Sequence, residues 1–314
     1  MLADERILRR LKLRDLYVLK AVVQSGSMGK AAAELAISQP AVTKAVTELE
    51  RVLGVRLLDR SRRGVEPTTY GSALLKWTVT IFDDLRQGVE EINWLADPGA
   101  GELRIGTTEA MTIGLVPAVI DRLARQRPRM VFNVVLAPGV AELTRNLRER
   151  NLDFFLAQVV TPFLDEDLDV EILFEDSLLV AAGLNNKLHR RRKIDVAELL
   201  GEPWALPPYD SFIGSIVKEA FRAKGLDAPR MTVRSYSLQL YTALLATGRF
   251  LSLRSARSLR LYGKRLSMKA LPVDLPIRPV HVGIVKLKNQ TISPAGQLFI
   301  ECARSIAKAW AKRE

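Results

Sequence analysis

The stretch SMGKAAAELAISQPAVTKAVTELERVLG, residues 27–54, constrains the fold most, because it carries two helical patterns joined by a short polar turn. Ser27 and Ser38 are favourable N-caps for these helices. Pro40 falls in the first turn of the second one, where its missing N–H does no harm. An apolar rhythm from about Leu13 predicts another helix ahead of them. The sequence therefore predicts three short helices packed together.

The third predicted helix has an apolar face and a polar face. Val42, Val46 and Leu49 recur at helical spacing and are predicted to face the other helices. The opposite face carries amide, hydroxyl and basic groups near the helix start, on Gln39, Thr43, Lys44 and Thr47. Side chains of these types read base edges when a helix enters the major groove of DNA. Many polar helix faces are simply exposed to water. This face alone therefore fits both a solvated surface and a helix that enters a DNA groove.

The segment RLLDRSRRGVEPTTYG, residues 56–71, follows the third helix and predicts a small β-hairpin that turns near Gly64. Basic side chains near the turn are those of Arg60, Arg62 and Arg63. A basic hairpin beside a polar helix supplies backbone contacts that flank base contacts on DNA. The hairpin therefore favours a DNA-binding interpretation over a solvated pair of helices.

Composition narrows the partner and the chemistry. The 314-residue chain has a formal net charge of +12 at pH 7, which points to a polyanionic partner, nucleic acid before an anionic membrane. One cysteine, Cys302, and two histidines exclude an internal disulfide framework and a Cys/His metal site. No signal peptide or membrane span is evident, so a cytoplasmic location is expected. No nucleophile–base pair or phosphate loop is evident either, so the sequence predicts no enzyme, no cofactor and no metal.

A long helix is predicted over residues 70–96, which contain no proline. Its apolar positions alternate in gaps of three and four, at Leu75, Thr78, Phe82, Leu85, Val89, Ile92 and Ala96. This rhythm forms the seam of a two-stranded coil, although a helix packed on its own domain shows a similar stripe. A helix between two domains has little of its own protein to pack on, which favours a dimer.

Beyond the linker ADPGAGE, residues 96–102, short apolar strands alternate with helices. The predicted strands are LRIGTT, VFNVVLA, LDFFLAQ, SLLVAAG, MTVRSYS and PVHVGIVKL. The predicted helices cover 110–127, 140–150, 195–200, 212–224, 238–246 and 292–311. Alternation of this kind predicts parallel βαβ units.

Parallel sheets bind ligands beyond the carboxyl ends of their strands. Polar or open backbone groups stand at four such loop ends, at 107–109, 137–139, 209–211 and 235–237. Hydroxyls and free N–H groups at helix starts suit a carboxylate, a phosphate or a sugar, although each serine there is equally an ordinary N-cap. Among the basic residues of 249–265, Arg249 and Arg254 are candidates to face an anion, and solvated surface is the alternative.

Residues 27–71 resemble the winged helix-turn-helix of LysR-type transcriptional regulators. The resemblance rests on the alanine pairs, SQPAVT, LE..LGV.L..R and PT..G at the spacing of that family. It implies a groove-facing set of Ser38, Gln39, Pro40, Thr43 and Lys44, and a backbone-contacting set of Arg62, Arg63 and Thr68. Gly29 departs from the pattern, since the family usually has threonine or a similar polar residue there, near a phosphate.

The resemblance extends to the rest of the chain and implies an α/β protein with three segments. They are a winged helix-turn-helix DNA-binding domain over 1–69, a dimerisation helix over 70–97 and an effector-binding domain of the periplasmic-binding-protein type over 98–314. That domain is expected to have lobe I at about 102–168 and 275–314, and lobe II at about 169–274. By family position, the cleft between the lobes is lined by Thr107, Thr108, Ala110, Gly139, Ser211, Phe212 and Ser237.

Together these observations predict a sequence-specific DNA-binding transcription regulator that is switched by an effector between two lobes. Its expected partners are double-stranded promoter DNA, a small-molecule effector, a second copy in a homodimer or homotetramer, and RNA polymerase, with no membrane partner. The resemblance is nearest the branch of galactose-binding-protein and protocatechuate-pathway regulators, which implies a sugar or a small organic or aromatic acid as effector. Two other functions stay open: a sequence-tolerant architectural DNA-binding protein, and a small-molecule-binding protein without a regulatory role.

Overall fold

The computed structural model describes residues 5–61, 64–159, 165–288 and 290–311. The chain divides into two units, of which the first ends at Val89 and the second begins at Glu90. Arg62 and Arg63, two of the predicted DNA-contacting residues, lie outside the described residues. None of the described helices is long and apolar enough to cross a membrane.

The first unit consists of helices and one hairpin. Its elements are α1 (Glu5–Arg10), α2 (Leu13–Ser25), α3 (Met28–Glu34), α4 (Gln39–Leu53), β1 (Leu58–Ser61), β2 (Gly64–Pro67) and α5 (Thr69–Ala96), the last of which continues into the second unit. The three predicted helices and the hairpin are confirmed. The short charged helix α1 was not predicted.

Local backbone chemistry sets the ends of these helices. Gly26 and Gly54 follow α2 and α4 in the left-handed conformation, with φ of 66° and 70°, which glycine adopts without a steric penalty. The Ser38 side chain accepts a hydrogen bond from the backbone N–H of Ala41 and so caps α4. Ser27 caps α3 in the same way. The predicted caps are therefore confirmed.

A small apolar core holds α2, α3 and α4 together. Leu19, Val22, Ala31, Val42 and Val46 are fully buried in it. Each buried valine or leucine stabilises the fold by about 1.5–3 kcal/mol relative to an exposed one. The alanine side chain is small enough to let α3 pack closely on its neighbours.

Helix α5 carries two apolar stripes, and the residues predicted to form one dimer seam divide between them. Leu75 and Phe82, assigned to a dimer seam, pack on the core of the first unit instead, and the Phe82 ring lies 5.3 Å from that of Tyr17. The seam prediction is wrong for these two residues, because helical spacing does not reveal which surface covers a stripe. The exposed stripe consists of Tyr70, Trp77, Ile81, Leu85, Val89, Ile92 and Leu95.

The second unit contains strands β3–β12 and helices α6–α11. The strands are β3 (Ala100–Thr108), β4 (Arg129–Ala137), β5 (Phe154–Val159), β6 (Leu168–Asp176), β7 (Leu178–Gly183), β8 (Trp204–Leu206), β9 (Met231–Arg234), β10 (Leu251–Ser255), β11 (Met268–Ala270) and β12 (Val280–Leu287). The α-helices are α6 (Leu115–Gln126), α7 (Val140–Arg148), α8 (Phe212–Arg222), α9 (Leu238–Ala246), α10 (Ala256–Tyr262) and α11 (Pro294–Ala311). The segments Glu109–Thr112, Lys187–Arg190 and Val196–Gly201 form short 3₁₀ helices.

The strands form two five-stranded sheets, with orders β4-β3-β5-β12-β6 and β11-β7-β10-β8-β9. The predicted parallel pairing holds for β3 with β4 and β5, and for β8 with β9 and β10. It is wrong for β7, which runs antiparallel to β10 and β11, and for β12, which runs antiparallel to β5 and β6. Strand β12 differs because it enters the first sheet on a long return from the second. Five strands and helices, β6, β8, β10, α10 and β11, are not among the predicted ones.

The two sheets have separate cores, which gives the second unit two lobes. In the first sheet the rings of Phe154 and Phe299 lie 5.4 Å apart, and in the second those of Trp204 and Phe221 lie 5.9 Å apart. The first sheet includes β6 up to Asp176, beyond the expected lobe boundary near 168. The boundary shifts because β6 pairs along its whole length with β12.

Candidate functional site

The first candidate surface is the exposed face at the start of α4. A shallow depression there is lined by Gln39, Pro40, Thr43, Lys44, Thr47 and Glu48. Val42 and Val46 lie on the opposite side of the helix and are fully buried, so packing fixes the rotation that exposes Gln39 and Lys44. The structure therefore brings together four of the five predicted groove-facing residues on one face.

Ser38, the fifth predicted groove-facing residue, lies at the N-terminus of this helix. Its hydroxyl accepts the Ala41 N–H at 3.4 Å, which sets where α4 begins. Pro40 occupies the first turn, where no N–H is required. The first turn of a helix presents free N–H groups and the positive end of the helix dipole, which suit a phosphate.

Gly29 lies exposed on α3 beside this face. A Cβ built at Gly29 would have only Ser27 Oγ at 3.8 Å and Gln39 Oε1 at 3.9 Å as neighbours, both ordinary contact distances. Packing therefore does not require glycine here, and the position has room for the polar side chain that the family usually carries.

The hairpin of β1 and β2, here called the wing, is anchored to two helices. Glu50 on α4 accepts the N–H of Leu57 through Oε1 at 2.8 Å, just before β1. Val65 on β2 donates its N–H to the carbonyl oxygen of Gly26 at 3.0 Å. The wing thus has a fixed position relative to both α4 and the end of α2, and Arg60 lies exposed on its outer surface.

Thr68, the last predicted DNA-contacting residue, joins the wing to α5. Its hydroxyl donates to the carbonyl oxygen of Arg56 at 2.8 Å and accepts the N–H of Gly71 at 3.0 Å. This hydroxyl therefore has a structural role as the cap of α5. Its contact with DNA stays a prediction.

The second candidate site is a cavity of about 470 Å³ in the second unit, at the carboxyl ends of strands from both sheets. Five of the seven predicted effector-binding residues line it: Thr108, Ala110, Gly139, Ser211 and Phe212. Its remaining walls are largely apolar, with Ile113, Pro138, Leu178 and Leu253 among them. The cavity is therefore a shaped, mainly apolar pocket with a few polar groups, as expected of a small-molecule site.

Two predicted residues lie outside the cavity lining. Thr107 is fully buried, and its hydroxyl donates to the carbonyl oxygen of Leu156 at 3.1 Å, because successive side chains in a strand point to opposite faces. Ser237 caps α9 by accepting the N–H of Leu240 at 3.2 Å. Its neighbour Tyr236 lines the cavity in its place.

The cavity is also lined by polar side chains outside the predicted effector-binding set, Glu109, Gln158 and Tyr241 among them. Of the two arginines predicted as candidates to face an anion, Arg254 lines the cavity, whereas Arg249 is exposed and does not. Tyr241 is almost fully buried and its hydroxyl donates to the carbonyl oxygen of Ser235; burial raises the pKa of this phenol. For Arg254 the sequence carries a signal, because a basic residue inside the otherwise apolar strand LSLRS is unusual.

One hydrogen-bond cluster at the cavity joins the two sheets. Glu109, directly after β3 of the first sheet, accepts through Oε1 from the Gln239 N–H at 3.4 Å and from Ser237 Oγ at 3.5 Å, at the start of α9. A ligand in this cavity therefore lies next to a contact that depends on how the two sheets are arranged. Within the described ranges, no group of three or more His, Cys, Asp or Glu side chains is arranged to hold a metal ion.

Two family models match the chain. The model of the LysR substrate binding domain matches residues 96–308, and that of the bacterial regulatory helix-turn-helix protein, lysR family, matches residues 13–72. The chain belongs to the LysR family. It is a transcription regulator with an N-terminal helix-turn-helix DNA-binding domain and a C-terminal effector-binding domain. Family membership supports a transcription regulator. It supports neither a sequence-tolerant architectural DNA-binding protein nor a small-molecule-binding protein without a regulatory role.

Relatives of this LysR-family chain agree with the assignment. It is 29% identical over 305 residues to the regulator GbpR of Azospirillum brasilense, covering 97% of this chain and 89% of GbpR. It is 28% identical over 240 residues to PcaQ of Agrobacterium fabrum, covering 76% of each chain. The crystal structure of ArgP from Mycobacterium tuberculosis superposes with a TM-score of 0.69 at 19% identity, covering 93% of this chain and 96% of that one. The predicted family and branch are therefore confirmed.

Proposed function

We propose that this regulator reads promoter DNA with the exposed start of α4. The observation that carries the proposal is the polar face of Gln39, Thr43 and Lys44, which is exposed because Val42 and Val46 are buried in the core. Amide, hydroxyl and ammonium groups at these positions reach base edges and adjacent phosphates when α4 lies in the major groove. Gln39 is the residue of this set best suited to a bidentate contact with adenine.

The other DNA-binding residues position the protein on the backbone. Ser38 and Pro40 lie at the N-terminus of α4, where free N–H groups favour a phosphate. Arg62, Arg63 and Thr68 contact the backbone from the wing and its junction with α5. Such contacts raise affinity for every sequence and carry no specificity of their own.

The functional protein is an oligomer, a homodimer or a homotetramer, whose subunits pair through α5. Support comes from the exposed apolar stripe of α5, in which Trp77 is 65% and Ile92 is 66% exposed in the single chain. A large apolar stripe on one helix is stabilised when a second copy covers it. The three functional segments are 1–69 for DNA binding, 70–97 for dimerisation and 98–314 for effector binding.

The effector is a sugar or a small organic or aromatic acid that occupies the cavity between the two sheets. Its binding favours one arrangement of the sheets over another, since Glu109 contacts the start of α9 next to the bound molecule. Through the dimer this change alters the spacing of the two DNA-binding domains and the access of RNA polymerase. The protein acts in the cytoplasm and has no catalytic role.

The test of DNA reading starts from selection of duplexes from a random library on the full-length protein. Fluorescence anisotropy then compares the selected duplex with a scrambled one of equal length at fixed salt. A specific regulator binds the selected duplex about 10³-fold or more tightly than the scrambled one. Equal affinities would contradict the proposal and indicate sequence-tolerant binding through phosphate contacts alone.

A further inference from the structure

One charged side chain in the cavity lacks the partners that a buried charge requires. Arg254 lines the cavity and is only 4% exposed. Its Nη2 donates to the carbonyl oxygen of Leu238 at 3.2 Å and to Thr242 Oγ1 at 2.9 Å. Its Nε has no hydrogen-bond partner among the residues that the structure describes. Nor does any carboxylate in those residues form an ion pair with this guanidinium.

Burial of an uncompensated cation is unfavourable unless an anion balances it. Burial lowers the pKa of Arg254 to about 10, so the group still carries its positive charge at neutral pH. Two weaker interactions also act on the guanidinium: the ring of Tyr241, whose centroid is 5.9 Å from Cζ, and the electrostatic attraction of the Glu109 carboxylate, with which it forms no ion pair. An aromatic face at this distance compensates only a small part of a full charge.

The cavity carboxylate that attracts Arg254 electrostatically is hydrogen-bonded to other groups. Glu109 accepts hydrogen bonds from the Gln239 N–H and Ser237 Oγ, and is not an ion-pair partner of Arg254. On the wall formed by the first sheet, Gly139 precedes α7 and provides no side-chain cap for its first N–H groups. Hydrogen-bond donors therefore lie on two walls of the cavity, the backbone N–H groups at the start of α7 and the guanidinium of Arg254. The guanidinium is the buried, charged one of the two.

We propose that the cavity selects a small carboxylate, and that Arg254 is the residue that binds the carboxylate group. This inference rests on the proposed role of the cavity as the effector site. A guanidinium forms strong, charge-assisted hydrogen bonds to carboxylate oxygens, and the guanidinium of Arg254 supplies such donors at the wall of the cavity. The apolar body of the ligand packs against Phe212, Leu253 and the ring of Tyr236. Neutral sugars lack the group that balances Arg254 and bind more weakly.

The first test needs no ligand. Arg254→Met keeps a side chain of similar length and removes the uncompensated charge, so the thermal midpoint of the full-length, ligand-free protein is expected to rise by about 2 °C or more. Arg257→Met is the matched comparison, because Arg257 is also buried but stacks on Phe174 at 4.5 Å and on Trp310 at 5.5 Å. Its midpoint is expected to fall. A fall in Arg254→Met as well would overturn the proposal, because Arg254 would then be a structural residue.

The second test compares acids with their neutral analogues by isothermal titration. The probes are benzoate with benzamide, and D-galactonate with D-galactose, on wild type and on Arg254→Met. The acid of at least one pair is expected to bind wild type about 10- to 100-fold more tightly than its neutral partner. This ratio corresponds to the free energy that a hydrogen bond to a charged group contributes. In Arg254→Met that preference is lost.

Two different failures remain distinguishable. If a neutral probe binds as tightly as its acid, and Arg254→Met binds both unchanged, the carboxylate inference is wrong. If that neutral probe still changes the affinity of wild type for the selected DNA duplex, the effector function of the cavity stands without it. Loss of the difference between selected and scrambled DNA in wild type would instead contradict the proposed function itself.

Discussion

Glu50 offers the sharpest test of how the wing is held. Its Oε1 accepts the N–H of Leu57 at 2.8 Å and, more weakly, that of Leu58 at 3.4 Å, and both leucines are nearly fully buried. Glu50→Ala leaves these two backbone donors without an acceptor. Hydrogen bonds to a charged group contribute about 1.5–3 kcal/mol each, and the longer one contributes little, so we expect a loss of about 1.5–3 kcal/mol in local stability.

Hydrogen–deuterium exchange of the 56–61 segment measures this loss directly. A free-energy loss of this size accelerates exchange of the Leu57 amide by about 10- to 150-fold when the segment recloses faster than the open amide exchanges. Glu48→Ala is the matched control on the same helix, since Glu48 forms an ion pair with Arg51 at 2.5 Å and no hydrogen bond with the described residues of the wing. Equal exchange rates in the two variants would refute the claim that Glu50 positions the wing.

Three further predictions follow from the same structure. Gln39→Ala is expected to weaken binding to the selected duplex by about 1–3 kcal/mol and to relax the preference at one base pair. The control Gln24→Ala, at an exposed position on α2, should do neither. If Gln39→Ala still distinguishes the selected from the scrambled duplex as wild type does, Gln39 does not read a base. Leu85→Glu, in the exposed stripe of α5, is expected to give monomers in sedimentation velocity, and a retained dimer would contradict pairing through α5. Burial raises the pKa of Tyr241, so folding favours the neutral phenol. Its contribution to the free energy of unfolding is therefore present below about pH 10 and is lost as the pH rises further. In Tyr241→Phe the fall of the thermal midpoint at alkaline pH should be smaller.

The first unit could be predicted from sequence because its signals are local. Gly26, Ser27 and Ser38 determine helix ends within a few residues of themselves, and the stripe of Val42 and Val46 gives the buried face without knowledge of the rest of the fold. The second unit depends on pairing between distant segments. The antiparallel strand β12 pairs with β6 across a gap of about a hundred residues, and no local pattern announces such pairing.

The cavity shows the same division. The rule that ligands bind at strand ends identified Thr108, Gly139 and Ser211. It missed Tyr241, which reaches the cavity from the middle of α9, and Arg254, which reaches it from within β10. Thr107 was misplaced by one residue, and in a strand one residue exchanges the two faces.

The backbone of Gly26 has consequences for altering the DNA specificity of this protein. Its carbonyl oxygen accepts the Val65 N–H and lies only 2.9 Å from where a Cβ on Gly64 would be, so the turn after α2 and the start of β2 approach each other closely through main-chain atoms. A recognition helix grafted from another regulator without its own wing and preceding turn would inherit a mismatched surface. DNA specificity is therefore expected to transfer more completely when residues 26–67 are exchanged together than when α4 is exchanged alone.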